Sequence, residues 1–270
     1  MLLQDFSYIV LDVETTGLNP QEGESICEIG ALKVKGGKII DTFVRLVKPR
    51  KPIPALISNL TGITNFMVKE SPYFGEIAPE FLDFIKDLPI FAYNVKFDIN
   101  FINSELAAYQ REEIGNTLVD ILFICRKLFA GKLTRFSLKE VAEFLSIDTS
   151  HLHRALADAK VAGEVLQRII DFLSKRGIKE GEMFLSFFSQ ANYHPLWQDN
   201  HLKILHSAIE EKRCVYIKYF SYSRLDFLDL EILPLKVEKH EGRNYLIGKY
   251  LDKEGDSIFS VSRIVKLNRA

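Results

Sequence analysis

The sequence predicts an α/β protein: a mixed-sheet domain over residues 1–176, a connector over 177–200 and a small, mostly β domain over 201–270. Two observations carry this reading. Strands come first as a meander and then alternate with helices, the signature of a mixed α/β sheet. From His201 the period changes, and one helix is followed by short alternating strands.

The first element is Phe6 to Glu14, a β-branched and aromatic run that reads as a buried central strand. Cys27 to Lys35 and Lys38 to Lys48 flank Gly36-Gly37 and read as a hairpin. Arg50-Lys-Pro-Ile-Pro54 reads as loop. A helix is expected within 75–87, then a short strand from Pro89 to Tyr93. Asp98 opens the next helix, whose Phe101, Ile102, Leu106 and Tyr109 share a face. A strand at 117–121 leads into helical sequence to about Leu128. Ser137-Leu-Lys-Glu140 has the form of a capping box, and Arg154 to Lys175 is a long amphipathic helix ending before Gly177. The connector holds Pro195 and the sole tryptophan, Trp197. Beyond it a helix from Leu202 to Lys212 precedes strands at 214–221, 227–237, 243–251 and 257–267, with turns at Gly242 and Gly255.

Composition narrows the function classes. At 47% hydrophobic and 26% charged, with a formal net charge of −1, the chain has ordinary globular character. Residues 201–270 are mildly basic, with 13 cationic and 10 acidic side chains, which permits nucleic-acid contact without demanding it. No apolar run approaches the ~20 residues of a membrane span, and no basic-then-apolar leader opens the sequence. Cys27, Cys125 and Cys214 are dispersed, which argues against a disulfide framework or a zinc site and suits a reducing cytoplasm.

Four carboxylates stand where the pattern calls for burial. Asp12 and Glu14 are two residues apart on a strand, so both side chains share one face with Val10, Tyr8 and Phe6. A strand end emerging into solvent would hold acids equally well. Asp98 can serve as a helix N-cap alone, or as a ligand held still at a helix start. Asp158 is the most telling, because Val161, Ala162, Val165, Ile169 and Leu173 form its helical stripe. Lys160, Glu164, Gln167, Arg168 and Asp171 take the opposite, wet side. Buried acids gathered in one place repel one another unless a cation compensates them. Carboxylate oxygens without cysteine ligands select hard ions, Mg²⁺ or Mn²⁺. His153, five residues before Asp158, can reach the same site, and histidine's ordinary pKa near ~6.5 suits a general base. Two divalent ions among four acids are the apparatus of phosphodiester hydrolysis.

These three spaced segments, Asp12 with Glu14, Asn94 to Asp98, and His153 with Asp158, resemble the DEDD-type 3′–5′ exonucleases, the group that includes the epsilon proofreading subunit of bacterial DNA polymerase III. The histidine lies five residues before the last Asp, as in the histidine subclass. The tyrosine subclass has Tyr four before, where Arg154 stands here. Leu118-Val-Asp120 and Ser137-Leu-Lys-Glu140 also look like family sequence. The resemblance implies an RNase H-like fold and stepwise release of nucleoside 5′-monophosphates from a 3′ end. It implies that Asp12, Glu14, Asp98 and Asp158 hold two ions, Mg²⁺ or Mn²⁺, and that His153 takes the proton from the attacking water. It also suggests that Thr15, Thr61, Ile63 and Asn94 lie near the terminal nucleotide. Tyr93 departs from the histidine that many relatives carry before the Asn.

Residues 201–270 resemble a WYL domain, on Tyr219 in Val-Tyr-Ile-Lys-Tyr, Pro234, Tyr245-Leu246, Phe259 and Arg263-Ile264, with Asn244 in place of the naming Trp. Such domains are small and barrel-like and bind ligands or nucleic acid. Tyr219, Arg224 and Arg263 are the contact candidates, with core packing and strand-surface solvation as the plain alternatives. The reading that follows is a metal-dependent 3′–5′ exonuclease acting on DNA in repair or proofreading, alongside a polymerase or repair partner and no membrane. An RNA-trimming exoribonuclease and a non-catalytic nucleic-acid-binding regulator are its rivals. Sugar choice, strandedness and oligomeric state are written in no motif.

Overall fold

The computed structural model describes residues 2–3, 5–189, 195, 197–252 and 255–269. The chain divides into two units, 2–172 and 173–270.

In the first unit β1 (Ser7–Thr15) is the middle of a five-stranded sheet. It pairs antiparallel with β2 (Ile26–Lys35), which pairs antiparallel with β3 (Lys38–Leu46). Gly36 and Gly37 take positive φ of 55° and 77° at the β2–β3 turn, a conformation that glycine adopts without steric cost. The Pro-rich segment 50–54 is loop, as expected, and leads into a short helix, α1 (Ala55–Thr61). α2 (Phe74–Ile85) and α3 (Val95–Ala108) enclose β4 (Ile90–Ala92), which runs parallel to β1. β5 (Leu118–Asp120) runs parallel to β4 and passes directly into α4 (Ile121–Leu128). α5 (Leu138–Phe144) carries the expected capping box between Ser137 and Glu140, and α6 (Ala155–Ser174) runs through the boundary at 172.

Strand alternation sorts β1 into two faces. Ile9, Leu11 and Val13 enter a core with Phe74, Phe81, Ile99, Phe101 and Leu106 from α2 and α3. On the other face Val10, with Leu32 of β2, lies beneath Gly163 of α6. Helical phase holds along α6: Val161, Ala162, Val165, Ile169 and Leu173 are buried, while Lys160, Glu164, Arg168 and Asp171 are exposed.

Two expectations about α3 are corrected. Asn94, at φ 73°, is the residue before the helix, and Asp98 sits within the first turn rather than at its opening. Tyr109 falls after the helix, as its C-cap, and is 43% exposed, with one part of its ring against Gly75.

The second unit is a five-stranded sheet in the order β10-β6-β7-β8-β9. Its strands are β6 (Val215–Ser221), β7 (Asp226–His240), β8 (Arg243–Tyr250), β9 (Asp256–Ser260) and β10 (Ile264–Arg269). The single strand expected at 257–267 is two, because a turn of 3₁₀ helix at Val261–Arg263 separates β9 from β10 and sends them to opposite edges. The connector is more ordered than its sequence suggests: it contains α7 (Gly181–Phe188), and α8 (Gln198–Glu210) begins four residues early. Residues 190–194 and 196 of that connector lie outside the described residues. α7 presents Phe184, Phe187 and Phe188 to an aromatic cluster, with Phe187 stacked on Phe220 at 4.6 Å and Phe188 5.7 Å from Tyr222. Such ring pairs contribute about 0.5–1.5 kcal/mol each beyond area burial. The remaining core joins Leu205 and Ala208 of α8 to Ile217, Tyr219, Leu246, Phe259 and Ile264.

Candidate active site

Asp12 and Glu14 leave β1 on the face that α6 covers, and Asp158 comes to them from the first turn of α6. One carboxylate oxygen from each of the three lies within 4.8 Å of the others. All three are half-buried. Asp98 is nearly sealed at 2% exposure, and its Oδ1 accepts the Val13 N–H at 3.1 Å, between the two β1 acids. That bond fixes α3 to β1. It also places a fourth charge close enough to act on Asp12, although Asp98 is outside the three-carboxylate cluster itself.

The electrostatics are those of acids crowded together. Burial, and then the charges of Asp98, Asp158, Glu14 and Glu28, hold the Asp12 carboxyl well above the usual range. Glu14 is pushed to about 8 by burial and by Asp158 and Glu28, with Arg154 pulling the other way. Asp98 is raised by burial against the opposing hydrogen bond from Val13. Asp158 is raised by burial, against the backbone N–H of His153. Hard oxygen donors that repel one another at this range fit one or more divalent cations.

α6 is brought to the sheet by residues that sequence reasoning misses. Glu28 of β2, 1% exposed and in register with Glu14, accepts the Ala155 N–H at 2.9 Å. The same carboxylate takes the Arg154 guanidinium in a fork, Nε to Oε2 at 3.0 Å and Nη2 to Oε1 at 2.5 Å. A carboxylate at a helix N-terminus satisfies an otherwise unpaired N–H and interacts favourably with the positive end of the helix dipole. Gly30 permits the approach: a Cβ there would stand 2.4 Å from the Leu156 nitrogen. The signal for Glu28 is present in the sequence, since it is an acid inside the apolar run Ile26-Cys-Glu-Ile, the same reasoning that singles out Asp158.

His153 stands exposed just before α6 with φ 77°, and its N–H donates to both Asp158 oxygens at 3.1 and 3.2 Å. A non-glycine residue in this left-handed region is uncommon, with histidine among those that tolerate it. Asn94 is also exposed, its N–H held at 3.1 Å by Asp120, which caps α4. Thr15 is buried, and its hydroxyl donates to the Gly17 carbonyl at 2.6 Å.

Thr61 and Ile63 do not offer side chains to a ligand. Thr61 is 5% exposed and its hydroxyl bridges the Ile57 carbonyl and the Ile63 N–H, while Ile63 is fully buried with Cys27, Ile53 and Val68. In the second unit Tyr219 is 7% exposed and belongs to the core. Arg263 lies over it at 4.9 Å and over Tyr222 at 4.4 Å. Arg224 stands exposed in the β6–β7 turn.

Comparison with known proteins agrees with this geometry. Residues 9–166 match the exonuclease family and residues 200–268 the WYL domain. The chain is 41% identical over 172 residues to the PolC-type DNA polymerase III of Caldanaerobacter subterraneus, across 64% of this chain and 12% of that protein. It is 39% identical over 171 residues to DNA polymerase III subunit epsilon of Aquifex aeolicus, across 63% of this chain and 84% of that one. The PolC-type protein of Bacillus cereus aligns over 93% of this chain at 30% identity, yet over only 17% of its own length. The chain thus spans less than a fifth of the PolC-type relatives. Among solved structures, Exonuclease X in complex with 5′ overhanging duplex DNA superposes with a TM-score of 0.51 at 24% identity, covering 63% of this chain and 93% of that one. The nuclease domain of 3'hExo, a DEDDh family member bound to rAMP, gives 0.55 at 18%, covering 62% and 92%. At those identities the likeness is one of fold. Among the described residues, no helix is long and apolar enough to cross a membrane.

Proposed function

The chain belongs to the exonuclease family, as a 3′–5′ exonuclease of the DEDD type joined to a WYL domain, and from that premise we propose that it shortens DNA from single-stranded 3′ ends, releasing nucleoside 5′-monophosphates. The observation that carries this is the meeting of Asp12, Glu14 and Asp158 within 4.8 Å, with the Asp98 carboxyl beside them.

In this reading Asp12, Glu14, Asp98 and Asp158 hold two divalent ions, Mg²⁺ or Mn²⁺. When bound, such ions neutralise the attacked phosphate and the departing 3′-oxygen. The protein's own part is positional. β1 fixes two carboxylates at a two-residue spacing, Asp98 is locked to the Val13 amide, and the Glu28 clamp holds the start of α6 so that Asp158 faces them. His153 accepts the proton of the attacking water as the new O–P bond forms and the bond to the departing 3′-oxygen breaks. Its backbone bond to Asp158 ties the base to the carboxylate cluster. Thr15 and Asn94 border the terminal nucleotide. Thr61 and Ile63, whose side chains are buried, take a structural part in this reading.

DNA is preferred as substrate over RNA because the relatives are named as parts of DNA polymerase III. A cytoplasmic setting and a polymerase or repair partner belong to the same proposal, and the names support the polymerase most directly. In the WYL domain, Arg263 stacked on two tyrosines is the favoured contact group for nucleic acid or a ligand. The test is timed digestion of matched DNA and RNA oligonucleotides, with free or phosphate-blocked 3′ ends, in Mg²⁺, Mn²⁺ or EDTA. Nucleoside 5′-monophosphates from the free DNA end only, and none in EDTA, is the expected pattern. Faster loss of RNA would favour the exoribonuclease reading, and no product in any arm the non-catalytic one.

A further inference from the structure

Between Ile121 and Lys139 the chain carries five cations, Arg126, Lys127, Lys132, Arg135 and Lys139, and no carboxylate. In a chain whose net charge is −1, this is a marked local excess. All five are exposed. Lys139 has a loose partner in Glu143 at 3.9 Å, whereas the other four form no ion pair among the described residues. Five exposed cations in a run without an acid make this a locally positive face, and such a face attracts polyanions.

The segment is also built rather than slack. Phe129, at the end of α4, packs on Phe144 of α5 with ring centroids 5.3 Å apart. The carbonyl of Phe129 accepts the N–H groups of Lys132 and Leu133 at 2.9 and 3.2 Å, and Ala130 bridges to Leu133. At the far end the Tyr93 hydroxyl donates to the Phe136 carbonyl at 2.8 Å. Tyr93 immediately precedes Asn94 and the helix that carries Asp98, so this bond fastens the basic loop to the corner of the candidate active site. Arg126 is close enough for its charge to act on the same hydroxyl. The tip, at Gly131, faces open space.

We propose that the Arg126–Lys139 loop, clamped to the Asn94 corner by Tyr93, grips the phosphodiester backbone of the strand being fed toward the carboxylate cluster. Phosphates carry the strand's charge and repeat identically at every nucleotide, so cations reading them show no sequence preference. The proposal rests on the exonuclease reading. It also gives Tyr93 a use: a histidine at that position would place a different donor toward the loop.

The experiment uses the full chain and separates grip from chemistry. Binding of a fluorescent single-stranded oligodeoxynucleotide is followed by anisotropy in EDTA across a salt series. Chemistry is followed with Mn²⁺ on the p-nitrophenyl ester of thymidine 5′-monophosphate, which has no upstream phosphate. For Lys132→Ala with Arg135→Ala we expect weaker strand binding and a salt slope shallower by about 0.7 for each phosphate no longer gripped, with the ester rate within about twofold of the parent. Tyr93→Phe keeps every charge and should raise KM on the oligonucleotide while leaving the ester rate alone. Parental affinity and slope in the double variant would overturn the proposal, as would an ester rate that falls with the binding, or an unchanged KM for Tyr93→Phe. Loss of binding to an acidic peptide but not to the oligonucleotide would also overturn it, in favour of a protein partner. A parent protein inactive on both substrates would instead refute the exonuclease reading, and the binding comparison would still be readable.

Discussion

Glu28 and Arg154, 126 residues apart in the chain, are joined by a forked hydrogen bond, and the same buried carboxylate takes the Ala155 N–H that opens α6. Asp158 lies one turn further along that helix. Removing the carboxylate in Glu28→Ala leaves the Ala155 N–H without its partner, a loss of about 1–3 kcal/mol. Urea unfolding should register that loss, and Mn²⁺ titration should register weaker binding because α6 is no longer seated. Arg154→Lys should show a smaller effect of the same sign, since an ammonium cannot form the fork.

Gly30→Ala tests the same seat from the sheet side. The added Cβ would stand 2.4 Å from the Leu156 nitrogen and 2.6 Å from the Ala155 carbonyl carbon, both backbone atoms. The start of α6 must move, at a cost of about 1–3 kcal/mol. Nucleotide release should fall further than stability, because Asp158 moves with the helix. A variant with parental activity would mean that the approach of α6 to β2 does not position the site.

The pH dependence has a defined sign. Glu14 is raised from 4.5 to about 8 in the folded chain, so between those values the folded state binds more protons than the unfolded one. Stability of the metal-free protein is therefore greatest below about pH 4.5 as far as Glu14 is concerned, and is lost as pH rises through 8. Asp12, Asp98 and Asp158 are shifted in the same direction. In EDTA the melting temperature should drop between pH 6 and pH 8. Mg²⁺ or Mn²⁺ should restore it, more at pH 8 than at pH 6, because the ion displaces protons from its ligands. Glu14→Gln should flatten the EDTA profile.

In the second unit Arg263 lies over the rings of Tyr219 and Tyr222. Arg263→Ala should destabilise the chain by about 0.5–2 kcal/mol in urea unfolding. Arg263→Lys should recover only part of that, because a planar guanidinium stacks where an ammonium does not. Full recovery by lysine would reduce the contact to simple charge.

The fold and site are legible in the sequence where one period governs a segment. The strand spacing of Asp12 and Glu14 and the helical phase of Asp158 put three acids on surfaces that in the fold face one another. Asp98 is ambiguous because its decisive partner, the Val13 amide, is 85 residues away. Glu28 carries the same signal as Asp158, but the apolar run around it reads only as strand. α7 is hidden because its phenylalanines crowd several sides of a short helix, and the period that would reveal it is lost. The break at Val261–Arg263 is invisible for the opposite reason: alternation continues across a single 3₁₀ turn while the chain changes edge.

In the proposed mechanism Asp12, Glu14, Asp98 and Asp158 hold the metal and His153 moves the proton. The most direct test is single-turnover release of the 3′-terminal nucleotide from a 5′-labelled DNA strand with Mn²⁺, comparing the parent with His153→Ala and Asp158→Asn, each checked for a native circular dichroism spectrum. The parent should release nucleotides in single steps from the 3′ end. Both variants should lose about 100-fold or more, the scale of a missing general base or metal ligand. Release at the parental rate by either folded variant would contradict that mechanism.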